Sequence, residues 1–142
     1  HPDRFTSEQE ETRALAARLS AEVNHAQQVL ADPVRRADFL LVRSGGPTAG
    51  ELRDVPGDLL AETMRVREEI ETAKSGDDVA ALAAIREQVT RRRATAMREI
   101  ARCASRLSAC NVAEKAALRR QLNSMKYFDN LLAESAEDSL RL

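Results

Sequence analysis

Tryptophan is absent from this chain, and the whole aromatic complement is three Phe and one Tyr. With so few rings, the direction of each one is informative, and no aromatic series stands ready to interleave with basic residues as a nucleic-acid surface requires. Glycine and proline are scarce as well, five and four residues. Helix breakers are therefore rare, while Ala, Leu, Arg and Glu dominate, so local propensity points to an all-α protein. Neither sign of charge prevails: 22 Lys+Arg stand against 23 Asp+Glu. No overall field draws the chain to nucleic acid or to an anionic membrane, and the expected partners are proteins. The longest aliphatic run lies near residues 39–42, far short of a membrane span, and no signal-peptide pattern opens the chain, so a soluble protein is expected.

Cysteine is limited to Cys103 and Cys110. Seven positions apart on one predicted helix, their Cα atoms would lie about 10 Å from each other, too far to bridge within it, which suits a reducing compartment. No further Cys or His completes a tetrahedral metal set around them. His25 falls mid-helix without a matching nucleophile or carboxylate pattern, and no phosphate loop, paired-glycine fingerprint or zinc-helix motif occurs. The expectation is a protein with no catalytic residues, no metal and no cofactor.

What is present is helical periodicity. The 142 residues are 43% apolar, enough for a packed core in one domain or a small two-part unit. The opening residue is His1 rather than an initiator Met, so the chain reads as a piece of a longer protein. Pro2 and Asp3 mark a loop, and Ser7 with Glu10 forms a capping pattern for a helix carrying Leu15, Leu19, Val23, Ala26 and Leu30 on one face. Asp32 and Pro33 stop that helix and begin a short one bearing Ala37, Phe39, Leu40 and Leu41. Residues 44–57 hold the densest glycine cluster together with Pro47 and Pro56, which predicts a connection between two units.

Beyond it, Asp58 is placed to cap a helix of residues 59–74, and Asp77 or Asp78 to cap a long one. The long helix carries Leu82, Ile85, Val89, Ala96, Ile100, Cys103 and Leu107 at near-heptad spacing to about Cys110. Asn111 with Glu114 caps a last helix carrying Leu118, Leu122, Met125, Phe128 and Leu132. Three antiparallel helices should result, with residues 135–142 extending the last or fraying.

The helix of residues 59–74 organises the rest. Leu59, Thr63, Val66, Ile70 and Ala73 fall within roughly 40° of one line, a core stripe. Leu60 and Met64 fall about 100° to 140° away, and their row continues into Glu68 and Thr72. One stripe suffices to pack a surface helix; the second needs a covering segment of the same chain or a partner. Tyr127 projects about 180° from Leu118, away from the bundle, as either a contact ring or an amphipathic side chain lying over its neighbours.

Three other readings compete. The second stripe can pair with its own copy, giving a helical oligomerisation module and a homo-oligomer. Arg67 with Glu68, or Arg86 with Glu87, can serve a helical-bundle enzyme if perturbed in a deep pocket. Arg91, Arg92 and Arg93 suggest a nucleic-acid adaptor, but consecutive residues point in different directions on a helix and read as a solvated face.

Taken in order, HPDRF at residues 1–5, VNHAQQVLADPVRRADFLL at 23–41, LLAETMRVREEIE at 59–71 and NSMKYFDNLL at 123–132 resemble the HscB-type co-chaperones, the J-proteins of iron-sulfur cluster assembly. The likeness runs nearly the whole chain, with Asn24, Ala26, Leu30, Asp32, Pro33 and Arg36 matching the helix and turn that follow the J-domain loop. It implies the C-terminal part of a J domain (two helices, residues 1–44), a linker at 45–57 and an antiparallel three-helix scaffold-binding domain at 58–142. It further implies that His1, Pro2 and Asp3 engage an HscA/DnaK-class chaperone and stimulate its ATPase. Leu60, Ala61, Met64, Arg65, Glu68, Thr72 and Tyr127 correspond to the family's surface for the IscU-type cluster scaffold protein. Ala61, Arg65 and Thr72 stand where the familiar pattern has a larger apolar residue and two acids, which weakens the acidic part of the contact. The implied location is the bacterial cytoplasm or a mitochondrial matrix.

Overall fold

The computed structural model describes residues 7–136, all helix, turn and loop, so His1, Pro2 and Asp3 lie outside the described residues, as do residues 137–142 of the tail. Five α-helices follow one another: α1 (Ser7–Ala31), α2 (Pro33–Arg43), α3 (Leu59–Ser75), α4 (Val79–Ala104) and α5 (Val112–Glu134), with a short 3-10 turn (Leu107–Ala109) before the last. The chain divides into two compact units, His1–Arg36 and Ala37–Leu142.

In the first unit α1 buries none of its residues, and Leu15, Leu19, Val23 and Leu30 are exposed along it. Asp32 ends α1 and starts α2: its Oδ1 accepts from the Val34 amide at 2.9 Å, and Pro33 takes the first helical position, where a missing N–H costs nothing. The Arg36 guanidinium donates to the Leu30 carbonyl at 3.1 Å, satisfying an orphan acceptor at the end of α1.

The second unit is built on a three-helix bundle. The Arg92 guanidinium meets Glu62 at 2.6 Å, Arg93 meets Asp129 at 2.8 Å, and Arg67 meets Glu134 at 3.0 Å. Arg86 reaches the Leu132 carbonyl while Arg93 reaches Asp129, which runs α4 antiparallel to α5, and the short turn from Ser75 to Val79 with Arg92 on Glu62 runs it antiparallel to α3. Leu59, Val66 and Ile70 of α3, Leu82, Ile85, Val89 and Ile100 of α4, and Leu118, Leu122, Met125, Phe128 and Leu131 of α5 form the core. Thr63 is buried among them at no polar cost, because its hydroxyl donates back to the Leu59 carbonyl at 2.8 Å.

Helix ends follow local chemistry, with three departures from the sequence expectation. Asp78 caps α4, accepting from the Ala81 amide at 3.0 Å, whereas Asp58 sits in helical conformation and makes no side-chain cap for α3. α4 ends at Ala104, short of the expected Cys110; Leu107 is buried from the 3-10 turn instead. The break after α3 also lies one residue on from glycine: Asp77, at φ +49°, takes the left-handed position, and the Asp78 amide closes back onto the Ala73 carbonyl at 2.8 Å. Asn111 caps α5, its side chain accepting from the Glu114 amide at 2.8 Å. Replacing Asn111 by alanine should cost about 1 kcal/mol. The melting midpoint, followed by circular dichroism, should fall by about 2–4 °C.

The stretch expected as a linker, 45–57, is fastened down. α2 closes in a Schellman motif with Gly45 at φ +85° and the Gly46 amide on the Leu41 carbonyl at 2.9 Å, while a Cβ on Gly46 would collide with the Leu41 side chain. α5 then offers three side chains at successive four-residue steps. Lys115 donates to the Ser44 carbonyl at 2.7 Å, Arg119 to that of Pro47 at 2.8 Å, and Asn123 to those of Leu52 and Asp54 at 2.9 and 2.8 Å. Composition alone gave no sign of this, since the acceptors are backbone carbonyls that any sequence carries.

Candidate functional site

The outward side of α3 carries six of the seven residues assigned to scaffold contact. Leu60 and Met64 are 52% and 65% exposed, and Ala61, Arg65, Glu68 and Thr72 are exposed with them. The fastened segment lies along α5 rather than over this row, so large apolar side chains at 60 and 64 face solvent. In an i, i+4 row each step turns about 40° around the helix, so Leu60, Met64, Glu68 and Thr72 wind from one side of α3 to the other. The row begins apolar and ends polar.

Its polar end reaches a cleft of about 820 Å³ between α3 and α4. Arg65, Glu68 and Thr72 line one wall, and Ala81, Ala84 and Gln88 of α4 the other. The cleft exists because Ala73, Gly76, Ala81 and Ala84 are too small to fill the space between the helices near their turn. The α4 wall was not singled out from sequence; alanines three apart in the uncharged first turns of α4 are its only trace. Arg65 lies 4.0 Å from Glu69, and the Thr72 hydroxyl donates to the Glu68 carbonyl at 2.9 Å.

Of the two readings of Tyr127, the structure lies nearer the amphipathic side chain over its neighbours than the fully outward ring: it is half-buried on α5, with the Lys126 ammonium 5.3 Å from its ring centre. Measured from Leu118 it points away, but the buried stripe of α5 rotates along the helix to Leu131, from which Tyr127 lies only about 40°. A nine-residue extrapolation overstated its exposure.

Arg91, Arg92 and Arg93 point to Glu87, Glu62 and Asp129, three different directions, each neutralised by a carboxylate. Arg67 turns to Glu134, and Arg86 donates to the Leu132 carbonyl at 2.8 Å, so neither forms a dyad with its sequence neighbour. Cys103 and Cys110 are unbridged. Burial pushes the Cys103 thiol above its ordinary pKa, partly offset by the Arg102 charge beside it. The Cys110 thiol donates to the Arg106 carbonyl at 3.3 Å. Among the described residues no cluster of His, Cys, Asp or Glu could hold a metal ion, and no helix is long and apolar enough to cross a membrane.

Residues 55–135, the three bundle helices with their connections, match the family model described as the HSCB C-terminal oligomerisation domain. The co-chaperone protein HscB homolog of Vibrio vulnificus (strain YJ016) is 39% identical over 93 residues, 64% of this chain and 54% of that protein. That of Vibrio atlanticus (strain LGP32) is 40% identical over the same length and shares, and that of Aliivibrio fischeri (strain MJ11) 35% over 79 residues, 55% of this chain and 46% of that protein. The chain spans about half the length of the curated relatives it matches. No solved structure matches. An all-α chain whose bundle fits that model over more than half its length belongs to the HscB co-chaperone family through its C-terminal domain.

Proposed function

We propose that this chain is a co-chaperone of iron-sulfur cluster assembly in the bacterial cytoplasm. It binds the IscU-type scaffold protein through the outward side of α3 and presents it to an HscA/DnaK-class chaperone, whose ATPase it stimulates through His1, Pro2 and Asp3. The observation that carries the reading is the solvent-facing pair Leu60 and Met64 on a helix whose other stripe is fully packed. Exposed apolar anchors on a rigid element lose little conformational freedom on docking, which is what a protein-binding hot spot requires. The chemistry is non-catalytic: the chain positions two partners, and ATP hydrolysis occurs on the chaperone.

Titrating the scaffold protein into this chain by calorimetry tests it. A saturable isotherm with one-to-one stoichiometry is expected, and the absence of binding at about 100 μM of each protein would remove the proposal. The second reading, a self-associating module, is favoured by the family's description as an oligomerisation domain. Sedimentation over rising concentration separates the two. A monomer at every concentration supports scaffold docking, whereas a dimer that disappears with Leu60 and Met64 replaced supports pairing of copies.

A further inference from the structure

We propose that Cys103 and Cys110, at the turn between α4 and α5, are a thiol pair that a low-molecular-weight disulfide such as glutathione disulfide closes reversibly into an intramolecular bond. On one continuous helix their Cα atoms would stand about 10 Å apart, which forbids a bridge. The structure lifts that constraint by ending α4 at Ala104, one residue past Cys103. The chain then continues through i→i+3 turns: the Arg106 amide donates to the Cys103 carbonyl at 3.2 Å, the Ala109 amide to the Arg106 carbonyl at 3.0 Å, and the Cys110 amide to the Leu107 carbonyl at 3.1 Å. The Cys110 thiol donates to the Arg106 carbonyl at 3.3 Å, so both cysteines are bonded to one residue, Cys103 to its amide and Cys110 to its carbonyl. Neither side chain is fully buried, and both are unbridged. Turns of this 3-10 kind have poorer hydrogen-bond geometry than an α-helix, so the segment yields to closure more readily than a helix would.

The two thiols act on each other, since a charge on Cys110 opposes ionisation of Cys103. Burial is the larger cause that pushes the Cys103 thiol up, and the Arg102 and Arg106 charges draw it back. The first attack therefore falls to Cys110. Its thiol loses a proton to water and its sulfur attacks one sulfur of glutathione disulfide; that S–S bond breaks, and one glutathione leaves as a thiolate and takes up a proton. Cys103 then loses its proton and attacks the Cys110 sulfur of the mixed disulfide, expelling the second glutathione, which is protonated in turn. Both protein sulfurs end oxidised, and one glutathione disulfide has been reduced to two glutathiones. In a reducing compartment the pair rests as a dithiol and closes as the small-thiol pool is oxidised. Cys110 directly precedes Asn111, the cap of α5, so closure ties the last turn of α4 to the start of α5.

The test incubates the 142-residue chain with glutathione disulfide at neutral pH, alkylates the remaining thiols and reads the intact mass. The expected product is a monomer that has lost two hydrogens, takes up no alkylating agent, and regains both thiols with dithiothreitol. Cys103→Ser and Cys110→Ser should each stop at one bound glutathione, Cys110→Ser forming it more slowly. A chain carrying two glutathiones, a disulfide-linked dimer, or two thiols still open to alkylation each overturns the proposal. The urea midpoint supplies a second readout. It should be higher for the oxidised than for the reduced chain, because the bond restricts the unfolded ensemble. A lower midpoint on oxidation would show that closure distorts the folded turn, and would overturn the proposal as well.

Discussion

Replacing Leu60 and Met64 together by alanine should lower scaffold affinity by about a hundredfold, close to 3 kcal/mol, with helix content and melting midpoint unchanged. The two halves of that result have separate causes. Both side chains are more than half exposed, so truncation opens no cavity in the bundle, and alanine has the highest helix propensity of all residues. In the complex the same side chains are the largest apolar groups on the α3 face, and hot-spot anchors of this kind cost about 2 kcal/mol or more each when truncated. Tyr127→Ala should do less to binding and more to stability, because its ring is already half covered by its own chain. Unchanged affinity of the double variant, measured by calorimetry, would move the docking surface away from α3.

Asp38→Ala should destabilise the second unit by about 2 kcal/mol, more than Arg119→Met at about 1 kcal/mol, although aspartate is the more exposed partner. Arg119 is 2% exposed, ion-paired to Asp38 and donating to the Pro47 carbonyl. Removing Asp38 leaves a buried guanidinium with one neutral acceptor, and an unpaired buried charge is the costly state. Removing the guanidinium while keeping a long apolar stem leaves only a half-exposed carboxylate, which water solvates. The loss from Asp38→Ala stays below that of a fully buried pair, because the Asp38 side chain is 51% exposed and solvent screens it. Urea midpoints of the two variants give the comparison. The reverse order would show that solvent already reaches Arg119.

The helix boundaries were legible to within a residue or two from capping residues and apolar spacing, since both are local signals, except at the end of α4, which stops at Ala104, six residues before the expected Cys110. So was the division of α3 into two stripes, because the angular position of each residue depends only on counting. Tyr127 was less legible, since a small error in the direction of the buried stripe accumulates over nine residues. The hold of Lys115, Arg119 and Asn123 on residues 44–54 was invisible. Nothing in a polar side chain states which distant carbonyl it will meet, and a segment rich in glycine and proline looks the same whether free or tied down.

By itself, then, the sequence determined that this protein is helical, where its helices start and where all but α4 stop, and which residues of α3 enter the core and which do not. These follow from backbone propensity and a 3.6-residue period, properties that each segment carries alone. Only the tertiary structure decided that residues 44–54 lie along α5, that Tyr127 is half covered, and that small residues of α3 and α4 leave a cleft between them. Those outcomes depend on which surfaces meet and at what register, quantities set by the packing of whole helices against one another and written in no single stretch of chain.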